Sequence, residues 1–285
     1  MPILVDLNQV MISNLMVSLG NHKNAEVDEG MLRHMILNTL RSNRQKFHDE
    51  FGELVICADD KNYWRRQRFP YYKANRKKSR DESELDWTAI FTSLNKIREE
   101  LKEYFPYRVL QIDTAEADDI IGTIIHREGT ELNTGSEPFL ILSGDKDYIQ
   151  LHTYANVKQF DPTRKRWIKH SNPSAYLYEH IIRGDSGDGV PNILSPDNCL
   201  VIGQRQKPVT KKRLEQWQDI NNMDGEVKRN YMRNKALIDL SEVPEDIKQK
   251  ILYAWEKENT KTRSKLLNYF IKNRLRNLTE SITEF

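Results

Sequence analysis

Asp145 and Asp147 flank Lys146 in the stretch LSGDKDYIQL, at the end of a short, mainly apolar run at 139–143. Taken alone, a strand that empties into two carboxylates is an ordinary solvated turn, because Gly and Asp are common turn residues. The pattern recurs, however. Ile-Leu-Val at 3–5 runs into Asp6, and LVICA at 54–58 runs into Asp59 and Asp60. RVLQI at 108–112 reaches Asp113, and TAEADD then supplies Glu116, Asp118 and Asp119. Two carboxylates about 4 Å apart repel by roughly 4 kcal/mol at an effective dielectric of about 20. Several in one crevice raise each other's pKa or require cations to hold them ionised. Oxygen donors without an accompanying His–Cys set favour Mg²⁺ or Mn²⁺ over zinc. An EF-hand is excluded: counted from Asp145, loop position 5 falls on Ile149 and position 6 on Gln150, where Gly is required. Two ions about 3.5–4 Å apart, one activating water and both stabilising the displaced oxygens, suit these acids better.

The elements that must position the acids are strands alternating with helices. The apolar runs at 3–5, 54–58, 108–112 and 139–143 read as buried strands. Met31, Leu32, Met35, Ile36 and Leu40 recur at helical spacing, as do Ala117, Ile120, Ile121, Ile124 and Ile125. Such alternation predicts an α/β fold with a mainly parallel central sheet flanked by helices. In sheets of this kind the functional crevice lies beyond the carboxyl ends of the strands. The acids therefore share one edge.

Composition fits a polyanionic ligand. The 285 residues are 38% hydrophobic and 30% charged, with a net charge of only +2. That balance conceals segregation, since KNYWRRQRFPYYKANRKKSR at 61–80 carries nine Lys or Arg and no acid. Further bases gather in KKR at 211–213 and KRNYMRNK at 228–235. Lys and Arg neutralise phosphates, and aromatic rings such as Tyr63, Trp64, Phe69, Tyr71 and Tyr72 stack on bases when exposed or fill the core when not. Pro70 forbids one straight helix and makes the segment a bent basic flap hinged beside Asp59.

IIRGDSGDGVPNI at 181–193 matches neither a dinucleotide fingerprint nor a P-loop and reads as an acidic, glycine-rich turn. Beyond it the periodicity is helical, as at Ile247, Ile251, Leu252 and Trp255, so a division is expected between 1–182 and a smaller helical part at 183–285. Cys57 and Cys199 provide no disulfide framework. The interrupted N-terminal run and the absence of about 18 consecutive apolar residues predict a cytoplasmic protein with no membrane partner.

Taken in order, LVDLNQ, VICADD, YWRRQRFPYYKANRKK, EADD, LSGDKDYIQL and GDSGDGVPN resemble the structure-specific 5′-nuclease (flap endonuclease) family, closest to its T-even bacteriophage RNase H branch. NVKQF and the final SITEF add to the resemblance, which spans nearly the whole chain. It implies a first-metal cluster of Asp6, Asp59, Glu116, Asp118 and Asp145, second-metal ligands Asp147 and Asp188, and Asp185 nearby. Asp60, Asp113 and Asp119 have lesser claims, and Asp119 suits a helix N-terminus. The basic segment corresponds to the family's arch over a 5′ single strand. Lys73 and Arg65 match its active-site cations, Tyr72 stands as a stacking neighbour, and Arg66, Arg76, Lys77 and Lys78 add nucleic-acid contacts. The loop at 184–192 resembles the opening of a helix–turn–helix module gripping duplex backbone, with Lys211 and Lys212 beyond it. ILSPDNCLVIGQRQKPVTKKR replaces the family's Gly-Ile-Gly-type turn, so the second helix and any monovalent-cation site stay open. The chain starts directly before its first strand, and no N-terminal clamp-binding peptide is expected.

The resemblance implies a two-Mg²⁺ nuclease, with Mn²⁺ a possible substitute, that is monomeric and acts on RNA–DNA hybrid and on duplex DNA with a 5′ flap or 5′ end. Its task would be primer removal alongside replication-fork proteins such as single-strand-binding protein or a clamp, in the host cytoplasm if phage-encoded. Two rivals remain: a PIN-type single-strand ribonuclease, which leaves the basic segment unexplained, and a non-catalytic DNA-junction-binding protein, which leaves the acid cluster an uncompensated cost.

Overall fold

The computed structural model describes residues 2–20, 28–131 and 137–285. Its six-stranded sheet is built from β1 (Pro2–Asp6), β2 (Glu53–Cys57), β3 (Arg108–Leu110), β4 (Phe139–Leu142), β5 (Val157–Asp161) and β6 (Arg166–Ile168), in the order β3-β2-β1-β4-β5-β6. All neighbours are parallel except β5 and β6. The chain leaves β1 toward β2 on one side and returns through β4 on the other. This reversal of strand order opens a crevice at their carboxyl ends.

Alternation along the strands divides the core. Ile3, Val5, Leu54, Ile56, Leu140 and Leu142 face one side, while Leu4, Val55, Cys57, Phe139 and Ile141 face the other. The first side is covered by α1 (Leu7–Gly20), α2 (Glu29–Phe51) and, beyond the short α3 (Trp64–Arg68) and α4 (Asn75–Asp81), by α5 (Trp87–Tyr104). α6 (Ala117–Glu131) covers the second. Capping sets several helix starts: Asp28 accepts from Met31 N ahead of α2, and Asp86 accepts from Ala89 N ahead of α5.

After β6 the chain forms α7 (Pro173–Arg183), capped by Asn172 with Pro173 opening the helix. The helix stops at Gly184, whose φ of 68° and close approach to Val190 O leave no room for a side chain. No short turn into a second helix follows. Residues 184–210 are irregular, and α8 (Lys211–Gln216) begins only after them. The irregular segment is held by α9 (Gly225–Ile238): Asn234 donates to Ile181 O and Pro191 O, and Asn230 donates to Ile193 O. α10 (Glu245–Glu256) lays Ile247 and Ile251 against Ile120 and Ile124 of α6. α11 (Leu266–Lys272), α12 (Arg276–Thr279) and Phe285 return to the first core face. There Phe270, Phe105 and Phe285 pack edge-to-face, and the Glu284 carbonyl accepts from Arg44. The C-terminal segment is thus part of the same body as the sheet.

Two strands were not foreseen. VKQFD buries Val157, Gln159, Phe160 and Asp161 through pairing with β4 rather than through an apolar run, and RWI is a short edge strand. Among the described residues no helix is long and apolar enough to cross a membrane.

Candidate metal centre

The strand order brings the predicted acids together. Asp6 is the last residue of β1, Asp59 follows β2, Asp145 follows β4, and Glu116 with Asp118 opens α6. Each is held by local hydrogen bonding. Asp6 accepts from Ser143 Oγ at 3.1 Å, and Asp59 accepts from Ala117 N at 2.8 Å and Asn8 Nδ2 at 2.7 Å. The Tyr148 hydroxyl lies 2.5 Å from Asp118 and 3.2 Å from Asp6, so a single proton serves two carboxylates. Asp145 accepts from the backbone N–H of Asp147 at 3.0 Å. These residues line one cleft of about 740 Å³ together with Asp185, Asp188 and Lys73.

A second group lies alongside. One ligand atom from each of Asp147, His180 and Asp185 falls within 4.8 Å of the others. His180 Nδ1 is 3.6 Å from Asp147 and Nε2 is 3.8 Å from Asp185, and Nδ1 has no hydrogen-bond partner. Sequence reasoning passed over His180. Its only signal was a place in the last turn of a helix that runs into the Gly–Asp loop. Tyr148, Asn8 and Ser143 were missed as well, each lying within two residues of a predicted acid or strand end.

The basic segment is bent, as Pro70 requires, but its first half is core. Trp64, Phe69 and Tyr72 are buried. Tyr72, expected as a stacking neighbour, offers no free face: its hydroxyl lies 2.9 Å from both Glu116 and Asp188. Arg65 is 2% exposed and pairs with Glu116 at 3.0 Å and Asp119 at 2.7 Å, while its Nε donates to Leu237 O at 2.8 Å. Its charge is spent on these protein groups, so it positions Glu116 rather than meeting a substrate. Lys73 does border the cleft, with its ammonium on Glu116 and 3.5 Å from Asp188. The turn that carries Lys73 is stapled to the Gly–Asp loop: Lys73 N donates to Asp188 O, and Asn75 Nδ2 donates to Ser186 O. Gly189, at φ 74°, sits so close to Tyr71 O that a side chain would collide there.

The electrostatics follow from burial. Burial and the neighbouring Asp59 push the Asp6 carboxyl from 3.8 up to about 7. Burial likewise raises Asp59, Asp118, Asp145 and Asp147, and Asp118 is raised further by Asp6. Glu116 is an exception. Burial pushes it up too, but Lys73 and Arg65 overcome that and hold it below its ordinary value. Asp185 is also low, because His180 and the loop amides outweigh its burial. Carboxyls pushed up by burial and by one another, which the single nearby Lys73 ammonium only partly offsets, are a donor set that fits divalent ions.

The remaining predicted residues divide. Asp119 is fully buried and accepts from Trp64 Nε1 and Glu116 N, which makes it architectural. Asp60 accepts from Asn62 N and Thr114 N, and Asp113 is exposed. Arg66, Lys77, Lys211 and Lys212 are exposed, and Arg76 pairs with Asp188. The Lys78 side chain lies outside the described residues. Of the late basic run, Arg229 and Arg233 are paired with Asp197, and Lys235 with Glu242.

Comparison with known proteins fits this geometry. The family model described as 5′-3′ exonuclease, N-terminal resolvase-like domain, matches residues 3–179, and that described as T4 RNase H, C terminal, matches residues 172–285. Ribonuclease H of Enterobacteria phage T4 is 33% identical over 296 residues, covering 99% of this chain and 95% of that protein. The chain belongs to the T4 RNase H family of 5′-3′ exonucleases. Membership in this family makes it a phosphodiester hydrolase. A 5′-3′ exonuclease of Buchnera aphidicola is 27% identical over 148 residues, 49% of this chain and 47% of its own length. In fold, the chain matches the bacteriophage T5 D15 flap endonuclease, solved with DNA and metal ions, with a TM-score of 0.62 at 18% identity, covering 90% of this chain and 99% of that one. The T5 5′-exonuclease solved with bound zinc matches with a TM-score of 0.60 at 18% identity and the same coverage.

Proposed function

We propose that this T4 RNase H family member is a Mg²⁺-dependent 5′→3′ exonuclease and flap endonuclease that removes RNA primers and adjoining DNA from lagging-strand fragments. The observation that carries the reading is the only partly compensated carboxylate crescent at the carboxyl ends of β1, β2 and β4, bordered by Lys73. Asp6, Asp59, Glu116, Asp118 and Asp145 would hold one ion, and Asp147, Asp185 and Asp188 a second, with Mn²⁺ able to substitute. Two bound ions at such a site activate water and neutralise the charge that develops on the phosphate.

The chain's own groups do the rest. Lys73 supplies a fixed cation at the cleft, aimed where charge grows as a phosphodiester is attacked. Arg65 and Tyr72 hold Glu116 from behind, and the Tyr148 hydroxyl keeps Asp6 and Asp118 in register. Arg66, Arg76 and Lys77 provide phosphate attraction on the near side, and Lys211 with Lys212 provides it in the helical part at 183–285, beyond the nuclease part at 1–182. Substrates are RNA–DNA hybrid and duplex DNA with a 5′ flap or 5′ end. The protein works as a monomer in the cytoplasm of the host cell, beside replication-fork proteins such as a single-strand-binding protein or clamp.

The deciding experiment is cleavage of a 5′-labelled flap and of an RNA–DNA hybrid, in Mg²⁺ and in EDTA. Cleavage of both in Mg²⁺ alone, abolished by Asp145→Asn with junction binding retained, is the expected result. Metal-independent cleavage, or an Asp145→Asn variant that cleaves at the wild-type rate, refutes it.

A further inference from the structure

The cleft that holds the acids has a second wall. Trp87 and Phe91, one turn apart on α5, line it together with Arg80 of α4. Their rings are 5.7 Å apart and tilted by 32°. The buried stripe of α5 is Ile90, Leu94, Ile97 and Leu101, so Phe91 stands off the packed face and is 37% exposed. Trp87 is half-buried, and its Nε1 has no hydrogen-bond partner. The Arg80 guanidinium lies 5.4 Å from the centre of the Phe91 ring. An exposed ring on a surface helix is ordinary. Two adjacent rings and a cation, inside the same concave site as a crescent of carboxylates, are a different arrangement.

We infer that Trp87 and Phe91 form a stacking subsite for an unpaired nucleobase of the substrate, with Arg80 placed to meet the adjoining phosphate. The inference rests on the nuclease reading above and adds where the single-stranded portion of the substrate is gripped. The base must be unpaired, because in a duplex both faces of each base are covered by its neighbours. Aromatic stacking tolerates any sequence, since every base has a π-face. That suits an enzyme of the replication type proposed here, which meets arbitrary sequence. The cleft, about 740 Å³, lies within the roughly 300–1,000 Å³ usual for ligand sites. Of the rings in the basic segment, Trp64, Phe69 and Tyr72 are buried and Tyr63 lies under the Lys73 ammonium, whereas Phe91 is the exposed ring on this wall of the cleft.

The test compares a 5′ flap of natural nucleotides with one of equal length made of abasic residues, by fluorescence anisotropy in EDTA so that nothing is cleaved. Wild-type protein is expected to prefer the natural flap by on the order of ten-fold. Phe91→Ala should erase most of that preference, Phe91→Leu should behave like Phe91→Ala despite its apolar bulk, and Phe91→Tyr should restore it. Circular dichroism checks that each variant folds, and Trp87→Phe provides an independent second position that should keep a reduced preference. Equal affinity of wild type for both flaps, or a Phe91→Ala variant with the full preference, overturns the subsite while leaving metal-dependent cleavage to stand. A protein that binds neither flap and cleaves neither substrate overturns the nuclease reading and the subsite with it.

Discussion

Lys73 and Glu116 form an ion pair that is almost wholly buried, and Lys73 reaches it from a left-handed backbone conformation with φ 55°. A non-glycine residue in that region costs on the order of 1–3 kcal/mol and persists only where its surroundings enforce it. Here the enforcement is visible in the bond from Lys73 N to Asp188 O at 2.7 Å. The basic segment is therefore pinned at the centre, and its ammonium has a fixed address at the mouth of the site.

The first prediction concerns that address. Lys73→Ala should slow the chemical step by about 10²–10³-fold, the usual loss for one preorganised donor facing developing charge. Single-turnover cleavage at saturating enzyme isolates the step from binding. Lys77→Ala, by contrast, should change affinity and salt response. A Lys73→Ala rate equal to wild type under those conditions would reduce the residue to a phosphate tether.

Arg65 calls for the opposite outcome. It was expected among the catalytic cations, yet it lies beneath Glu116 with Asp119 and Leu237 O as further partners. Removing one partner from a buried, hydrogen-bonded charge network costs about 3–5 kcal/mol. Arg65→Met should thus lower Tm by roughly 6–20 °C, at about 2–4 °C per kcal/mol for a chain of this class. Calorimetry beside single-turnover kinetics decides the matter. A variant with unchanged Tm and a large rate loss would return Arg65 to the chemistry.

How far the site could be read from the chain depends on what fixes each residue. Asp6, Asp59 and Asp145 were legible because an apolar strand precedes each, and a parallel sheet sends all such strand ends to one edge. Glu116 and Asp118 were legible from the same logic with a helix in place of a turn. The two unforeseen strands carry no run of apolar residues, since β5 is defined by its partner and β6 by β5. Tyr72 was misplaced because a ring beside cations reads alike whether it faces solvent or the core, and only tertiary packing decides. Trp87 and Phe91 had no signal at all: nothing local shows that the start of α5 borders a cleft built from β1, β2 and β4. His180 likewise needed the fold, because a lone histidine in a helix has no ligand spacing.

The carboxyls give a pH prediction with a definite sign. Asp6 moves from 3.8 up to about 7, and Asp59, Asp118, Asp145 and Asp147 are raised also. Between about pH 4 and pH 7 the folded metal-free protein therefore binds more protons than the unfolded chain, so these groups lose stability as pH rises. Glu116 and Asp185 are held low and act in the reverse sense, but only below about pH 5, where the unfolded chain begins to take up protons. His126 and His152, both held low by burial away from the acids, add stability with rising pH and contribute equally with or without metal. Subtracting the EDTA curve from the Mg²⁺ curve isolates the groups at the metal centre, which are the acids and His180. The Mg²⁺-induced rise in Tm should be larger at pH 8 than at pH 5.5, because metal binding needs the ionised carboxylates. A rise that is equal at both, or larger at pH 5.5, would place the ion elsewhere.

The last prediction concerns Lys211 and Lys212. They open α8 directly after its cap Thr210, so two cations face the positive end of a helix dipole. That placement does nothing for the helix, and both side chains are exposed. It differs from most of the neighbouring run at 228–235, where Arg229 and Arg233 share Asp197 and Lys235 pairs with Glu242. Lys211 and Lys212, like the exposed Arg213 and Lys228, make no ion pair among the described residues and can meet a phosphate backbone. Replacing both by Ala should weaken duplex binding and reduce the log–log salt slope by up to about 1.8, at about 0.9 per phosphate contact released. Removing two unfavourable charges from the helix start should at the same time leave Tm unchanged or slightly higher. Binding titrations of duplex DNA across a salt series, with a melting curve of each protein, measure both effects. An unchanged slope would make this pair a solvated surface and move the duplex contact elsewhere on the protein.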